Sequence, residues 1–187
     1  MRTRRTFAAA SLATCGAAAM VLAGPTNAPA AASAALVDTG RHSLISYNPT
    51  YVPPGSTGRV RGIYTGSGAT VVTLHVWGLV PNREYGAHAH KFGCSATDPM
   101  AAGGHYQYLV GGAADPASAN PDNEIWLDFT TDSEGDGTAQ ARVDWQFPNA
   151  GGDRAQSVII HDHHTATGPA GSAGTAGPRY GCLTVAF

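Results

Sequence analysis

The sequence predicts an all-β domain built as an antiparallel sandwich or barrel. Three observations carry this. Short runs rich in β-branched and aromatic residues recur along the chain, each bounded by Gly, Pro, Asn or Asp. Several alternate with period two, as half-buried strands do, and no segment sustains a helical period. Seven or more such runs joined by Gly-rich connections suit sheet-on-sheet packing.

Taken in order, the chain opens with a segment outside the fold. Arg2, Arg4 and Arg5 make a positive start, Phe7 to Ala23 an apolar stretch, and Ala32-Ser33-Ala34 a small-residue cleavage site, so residues 1–34 are expected to be an export signal removed near Ala34. "TRRTF" (3–7) resembles a twin-arginine signal, and an ordinary secretory signal is the alternative. Residues 35–58, around "NPTYVPPGSTG", are rich in Ala, Pro, Gly and Ser and read as a flexible, extended lead-in. The domain itself is expected over 59–187. Its candidate strands are "RVRGIYT" (59–65), "TVVTLHVWGL" (70–79), "EYGAHAH" (84–90), "EIWLDFTT" (124–131), "TAQARVDWQF" (138–147), "AQSVIIH" (155–161) and "CLTVAF" (182–187). In the second, Val72, Leu74 and Val76 share one face, and Thr73, His75 and Trp77 the other. "SEGDG" (133–137) is a hairpin-type turn. Two connections, 91–123 and 162–181, are unusually long, and each starts directly after a histidine; long loops in a compact domain tend to carry function.

Composition narrows the partners. Without residues 1–34 the chain keeps eight basic against thirteen acidic residues, which argues against a general nucleic-acid surface. No later stretch is apolar for long enough to span a bilayer, so a soluble exported protein is expected. Cys15 lies in the export signal. Cys94 and Cys182 remain, an even count in an oxidising compartment, and read as one disulfide.

The chemistry lies in the histidines. In "GAHAHKFGC" (86–94), His88 and His90 stand at i and i+2, on one face of a strand and roughly 6.5–7 Å apart along it. His105 follows in "AAGGHY" (101–106), and His161 closes the strand "SVIIH". Four imidazoles at strand ends and loop starts would, on converging, form an all-nitrogen site suited to Cu, Zn, Fe or Ni and unsuited to Mg or Ca. His42 and His75 read as structural or incidental.

"GAHAHKFGC", "AAGGHY", "SVIIHD" and "GSAGTAGPRYGC" (171–182), in that order, resemble the signature segments of the copper/zinc superoxide dismutase family. The resemblance runs from about Arg59 to the C-terminus. It implies a Greek-key eight-stranded flattened β-barrel and copper held by His88, His90, His105 and His161. It also implies a Cys94–Cys182 disulfide and an active-site arginine at Arg179, with superoxide as the small-molecule substrate. The residue types suit that chemistry: a one-electron shuttle needs a metal with two accessible oxidation states, which zinc lacks. Arg179 would offer a fixed cation and a fork of donors to a small anion, with Lys91 as further positive charge.

The sequence also departs from the family pattern. The family's zinc site needs further histidines after the third copper ligand, yet none occurs between Tyr106 and Ile160. A copper-only member, without zinc, is expected. The nitrogen of His105 that would face zinc then needs another partner. Glu124 is the first candidate, with Asp122 and Asp128 as alternatives. Thr165 stands where the family has an aspartate linking its metal ligands, and "HDHH" (161–164) adds His163, which could tune or supplement the site, and His164. The leading expectation is an exported copper-dependent superoxide dismutase. The rival is a copper-sequestering or copper-delivery module of the same fold, and a zinc-dependent hydrolase is weaker, for want of a general base.

Overall fold

A computed structural model describes residues 33–109, 115–148, 153–169 and 172–187. The expected export signal therefore lies outside the described residues, save for its last two positions. Among the described residues no helix is long and apolar enough to cross a membrane.

Among the described residues eleven strands follow in order: β1 Ala34–Asp38, β2 His42–Ser43, β3 Ile45–Ser46, β4 Thr57–Tyr64, β5 Thr70–Trp77, β6 Glu84–Tyr85, β7 Ala87–His90, β8 Phe129–Thr130, β9 Gly137–Val143, β10 Ser157–His161 and β11 Arg179–Thr184. Every pairing is antiparallel. One sheet runs β1-β4-β5-β9, with β2 also on β4; the second runs β3-β11-β10-β7; β6 and β8 form a small third. Strand β5 pairs with β9 and not with the strand that follows it, so the chain crosses to the second sheet and returns, as Greek-key connections do.

The alternation expected in β5 is what the strand shows. Val72, Leu74 and Val76 are at most 1% exposed, while Thr73, His75 and Trp77 are half-buried on the other face. They meet Val60 from β4, Val143 from β9, and Val158 and Ile160 from β10 in one core between the sheets. Residues 35–58 depart from the flexible lead-in expected of them: β1 and β2 pair with β4, and β3 pairs with β11. Their Gly- and Pro-rich sequence shows no strand pattern, but two sheet edges stand ready to take short pieces of extended chain.

The second sheet positions the site. In β7, Ala87 and Ala89 enter the core, and by strand alternation His88 and His90 face outward. They are 0% exposed all the same, since the connection after His90 folds back over them. Its turn is a 3₁₀ segment, Pro99–Ala102, capped by Asp98, whose carboxylate accepts from Met100 N. A disulfide joins Cys94 in this connection to Cys182 of β11 and pins the cover to the sheet, with Ala102, Ile159 and Cys182 as a small second core beneath it.

Candidate metal centre

Pairing brings the histidines together. His88 lies opposite Ile159 of β10, and His161 ends that strand on the same outer face. His105 is carried back by the connection and bridges to His90 as an isolated antiparallel pair. One ring nitrogen from each of His88, His90, His105 and His161 lies within 4.8 Å of every other. The Nε2 atoms of His90 and His161 face each other at 3.4 Å.

The outer nitrogens explain which atoms converge. His90 Nδ1 donates to Gly103 O at 3.0 Å and His161 Nδ1 to Gly177 O at 3.1 Å. A carbonyl only accepts, so each ring carries its hydrogen on Nδ1 and turns the lone pair of Nε2 inward. His105 Nδ1 donates to Glu124 Oε2 at 2.8 Å, with the same result. His88 is reversed. Its Nε2 meets Thr165 Oγ1 at 2.6 Å, and that hydroxyl spends its hydrogen on Asp128 Oδ1, so it accepts from the imidazole. Nδ1 of His88 is buried with no partner, which leaves it as the nitrogen this ring can offer to the cluster. An orphaned buried nitrogen beside three further imidazole nitrogens fits a soft-to-borderline transition ion.

Burial keeps His88, His90 and His161 neutral, as ligation requires. It holds His88 and His90 well below the ordinary histidine value and His161 down to about 4, with repulsion from His105 and Arg179 adding to the effect. For Glu124, burial pushes upward, but the hydrogen bonds from His105, Trp126 and Gln107 outweigh it and hold the carboxyl below its usual range. Of the three carboxylates considered for His105, Glu124 is the one that reaches it. Asp128 is used by Thr165, and Asp122 is exposed.

Three contributors were not foreseen. Trp126 Nε1 donates to Glu124 Oε2 at 2.6 Å. Gln107 Nε2 donates to Oε1 at 2.6 Å, and its own oxygen is fixed by Asp115 N at 2.8 Å. The third is the relay His88–Thr165–Asp128, formed at the threonine where the sequence departs from the family pattern. The i+2 spacings His105/Gln107 and Glu124/Trp126 were the available signal, since alternate residues of extended chain share a side.

Arg179 lies beside the cluster. Its Nη1 donates to Pro99 O at 2.7 Å and its Nη2 to Gly103 O at 2.6 Å, the carbonyl that also anchors His90. Gly103 holds this double acceptor at φ +69°, and a Cβ there would lie 2.7 Å from Phe92. A cleft of about 270 Å³ opens over His105, Glu124, Gly174, Thr175 and Arg179. His163 does not join the cluster: it is exposed, and its Nδ1 binds the carbonyl of His164, whose own ring binds Phe129 O. Lys91 is paired with Asp153 at 3.3 Å.

An antiparallel β-sandwich with four convergent imidazoles on one outer face is an arrangement compatible with a bound transition metal. The chain belongs to the copper/zinc superoxide dismutase family, whose model, described as "Copper/zinc superoxide dismutase (SODC)", matches residues 56–185, more than half of the sequence. A comparison with the curated proteins finds no match. The family supports a copper-binding, superoxide dismutase-like function, and the disulfide agrees with an oxidising, extracytoplasmic setting.

Proposed function

We propose that this chain is an exported copper-dependent superoxide dismutase that works without zinc. The observation that carries the reading is the pairing of the four histidines: one nitrogen of each ring is engaged by a neighbouring oxygen, and the ligand atoms the four rings offer lie within 4.8 Å of one another. His88 Nδ1, His90 Nε2, His105 Nε2 and His161 Nε2 would hold the copper. When bound, it would supply the one-electron exchange by which two superoxides and two protons become oxygen and hydrogen peroxide.

Arg179 binds and orients the anion. Two of its donors are fixed by backbone carbonyls, so the guanidinium is held in place, and its charge is retained even when half-buried. Glu124 takes the place of a second metal at His105: with its carboxylate against Nδ1, the imidazole keeps its orientation and has a partner for the hydrogen on that atom. The histidine-free stretch 106–160 supports the zinc-free reading, and residues 1–34 together with the disulfide support export.

Substitution of Arg179 separates this enzyme from a copper store of the same fold. Arg179→Ala should leave copper content near one per chain and cut superoxide turnover by roughly tenfold or more, the worth of one charge-assisted interaction with the substrate. Arg179→Lys should recover part of it by restoring charge without the fork. Full copper with unchanged turnover in the Ala variant would favour the copper-binding module.

A further inference from the structure

We propose that Arg83, Asp162 and Tyr180, none of which belongs to the histidine cluster, lock a β-bulge that aims Arg179 at it. The role of Arg179 rests on the dismutase reading above; the lock is a claim about the fold and is tested apart from turnover.

The register of β10 on β11 carries the argument. Ser157 pairs with Thr184, Val158 with Leu183, Ile159 with Cys182 and Ile160 with Gly181, each step moving one residue on either strand. His161 then pairs with Arg179, so Tyr180 is an extra residue on β11. Directly opposed residues share a face. With the bulge, Arg179 takes the outer face with His161, beside the copper ligands. Without it, Tyr180 would oppose His161, and Arg179 would be turned through the sheet toward the core. One inserted residue thus decides whether the guanidinium reaches the site.

A bulge needs something to hold its extra residue, and Tyr180 is gripped on every side. Its carbonyl accepts from Tyr47 N at 2.9 Å and Asn48 N at 3.2 Å. Its ring stacks on Tyr51 with centroids 4.8 Å apart, and its hydroxyl donates to Asp162 Oδ1 at 2.9 Å. Asp162 follows His161 directly, and its backbone N–H closes the other side of the bulge on Pro178 O at 3.1 Å. Arg83 then pairs with the same Asp162 oxygen while its guanidinium lies 4.3 Å from the Tyr51 ring and 4.5 Å from that of Tyr85. The Arg83 side chain is 20% exposed and that of Asp162 33%, so the pair is shielded in part from solvent screening. Arg83, Asp162 and Tyr180 are positioning residues that act through Arg179.

A double-mutant cycle tests this, using azide as an anionic probe whose binding to the Cu(II)-loaded protein is read from its charge-transfer band. Arg179→Ala should weaken azide about tenfold, and Asp162→Ala about three- to tenfold, with copper content unchanged. In an Arg179→Ala background, Asp162→Ala should weaken azide no further, although it should still lower the unfolding temperature. Tyr180→Phe and Arg83→Lys, which keep the packing, should weaken azide in the same direction by smaller factors and guard against a misfolded Ala variant. Wild-type azide affinity in all three lock variants would overturn the proposal. So would a loss from Asp162→Ala that persists without Arg179, since the effect would then run through His161. A wild-type protein that gives the predicted cycle yet dismutes no superoxide would refute the dismutase reading and leave the lock standing.

Discussion

Glu124→Gln tests how far one buried carboxylate substitutes for a second metal. The change keeps shape and removes charge. In the protein, three donors converge on two oxygens: His105 Nδ1 at 2.8 Å and Trp126 Nε1 at 2.6 Å on Oε2, and Gln107 Nε2 at 2.6 Å on Oε1. An amide offers one oxygen. Placed toward His105 and Trp126, it leaves its NH₂ against the Gln107 amide, which is held from flipping because its oxygen accepts from Asp115 N. Turned round, it faces two donors with a third. At least one donor, 1% exposed at the Glu124 side, therefore loses its partner, at about 1–3 kcal/mol, and the remaining bonds lose charge assistance worth about 1 kcal/mol. A total near 2–4 kcal/mol lowers Tm by roughly 5–15 °C in a chain of this size. Loss of the partner that orients a ligand should also weaken copper by about 10- to 100-fold. Thermal unfolding of the chelated protein reads the first effect and competition with a copper chelator the second, with Asp122→Asn as the control that moves neither. A Glu124→Gln protein within about 2 °C of wild type and with unchanged copper affinity would refute the reasoning.

Further predictions concern the apo protein and the disulfide. In chelated protein, His161 titrates at about 4 when folded but near its ordinary 6.5 when unfolded. The unfolded chain therefore binds more protons in that window, and stability should hold above about pH 7 and fall as pH drops toward 4. His88 and His90, displaced in the same direction by burial, should steepen the fall, and urea unfolding between those limits that shows level or rising stability would contradict it. The Cys94–Cys182 bridge spans 88 residues, and the chain-entropy account gives its loss as about 4–5 kcal/mol. Mass spectrometry should find no free thiol in the exported protein, and Cys94→Ser should lower Tm and loosen the connection that carries His105. Two free thiols in an active, exported protein would count against both.

Local pattern made β5 legible, since a half-buried strand must alternate and Val72, Leu74 and Val76 do. The same rule put His88 and His90 on one side of β7. What escaped was set by distant partners. "EIWLDFTT" has strand composition, yet only Phe129–Thr130 is strand, because the preceding residues follow β7 irregularly, with Leu127 N on Ala87 O and Ala89 N on Ile125 O, and send Glu124 and Trp126 to the site. The pieces at 34–46 are too short and too Gly- and Pro-flanked to show a period, and form on edges supplied by β4 and β11. The bulge at Tyr180 is a relation between two strands that neither sequence alone encodes. Within the site the four histidines were visible as types, whereas the choice of nitrogen depends on acceptors such as Gly103 O and Gly177 O, which leave no side-chain signature.

The central claim is that four histidines and an arginine dismute superoxide with copper alone. Metal-stripped protein loaded with copper, with zinc, or with both, and followed by direct superoxide decay, tests it most simply. One copper per chain should give full activity, zinc alone none, and zinc added to copper no gain. Activity that appears only when stoichiometric zinc accompanies copper, or no activity with one copper bound, would contradict the account.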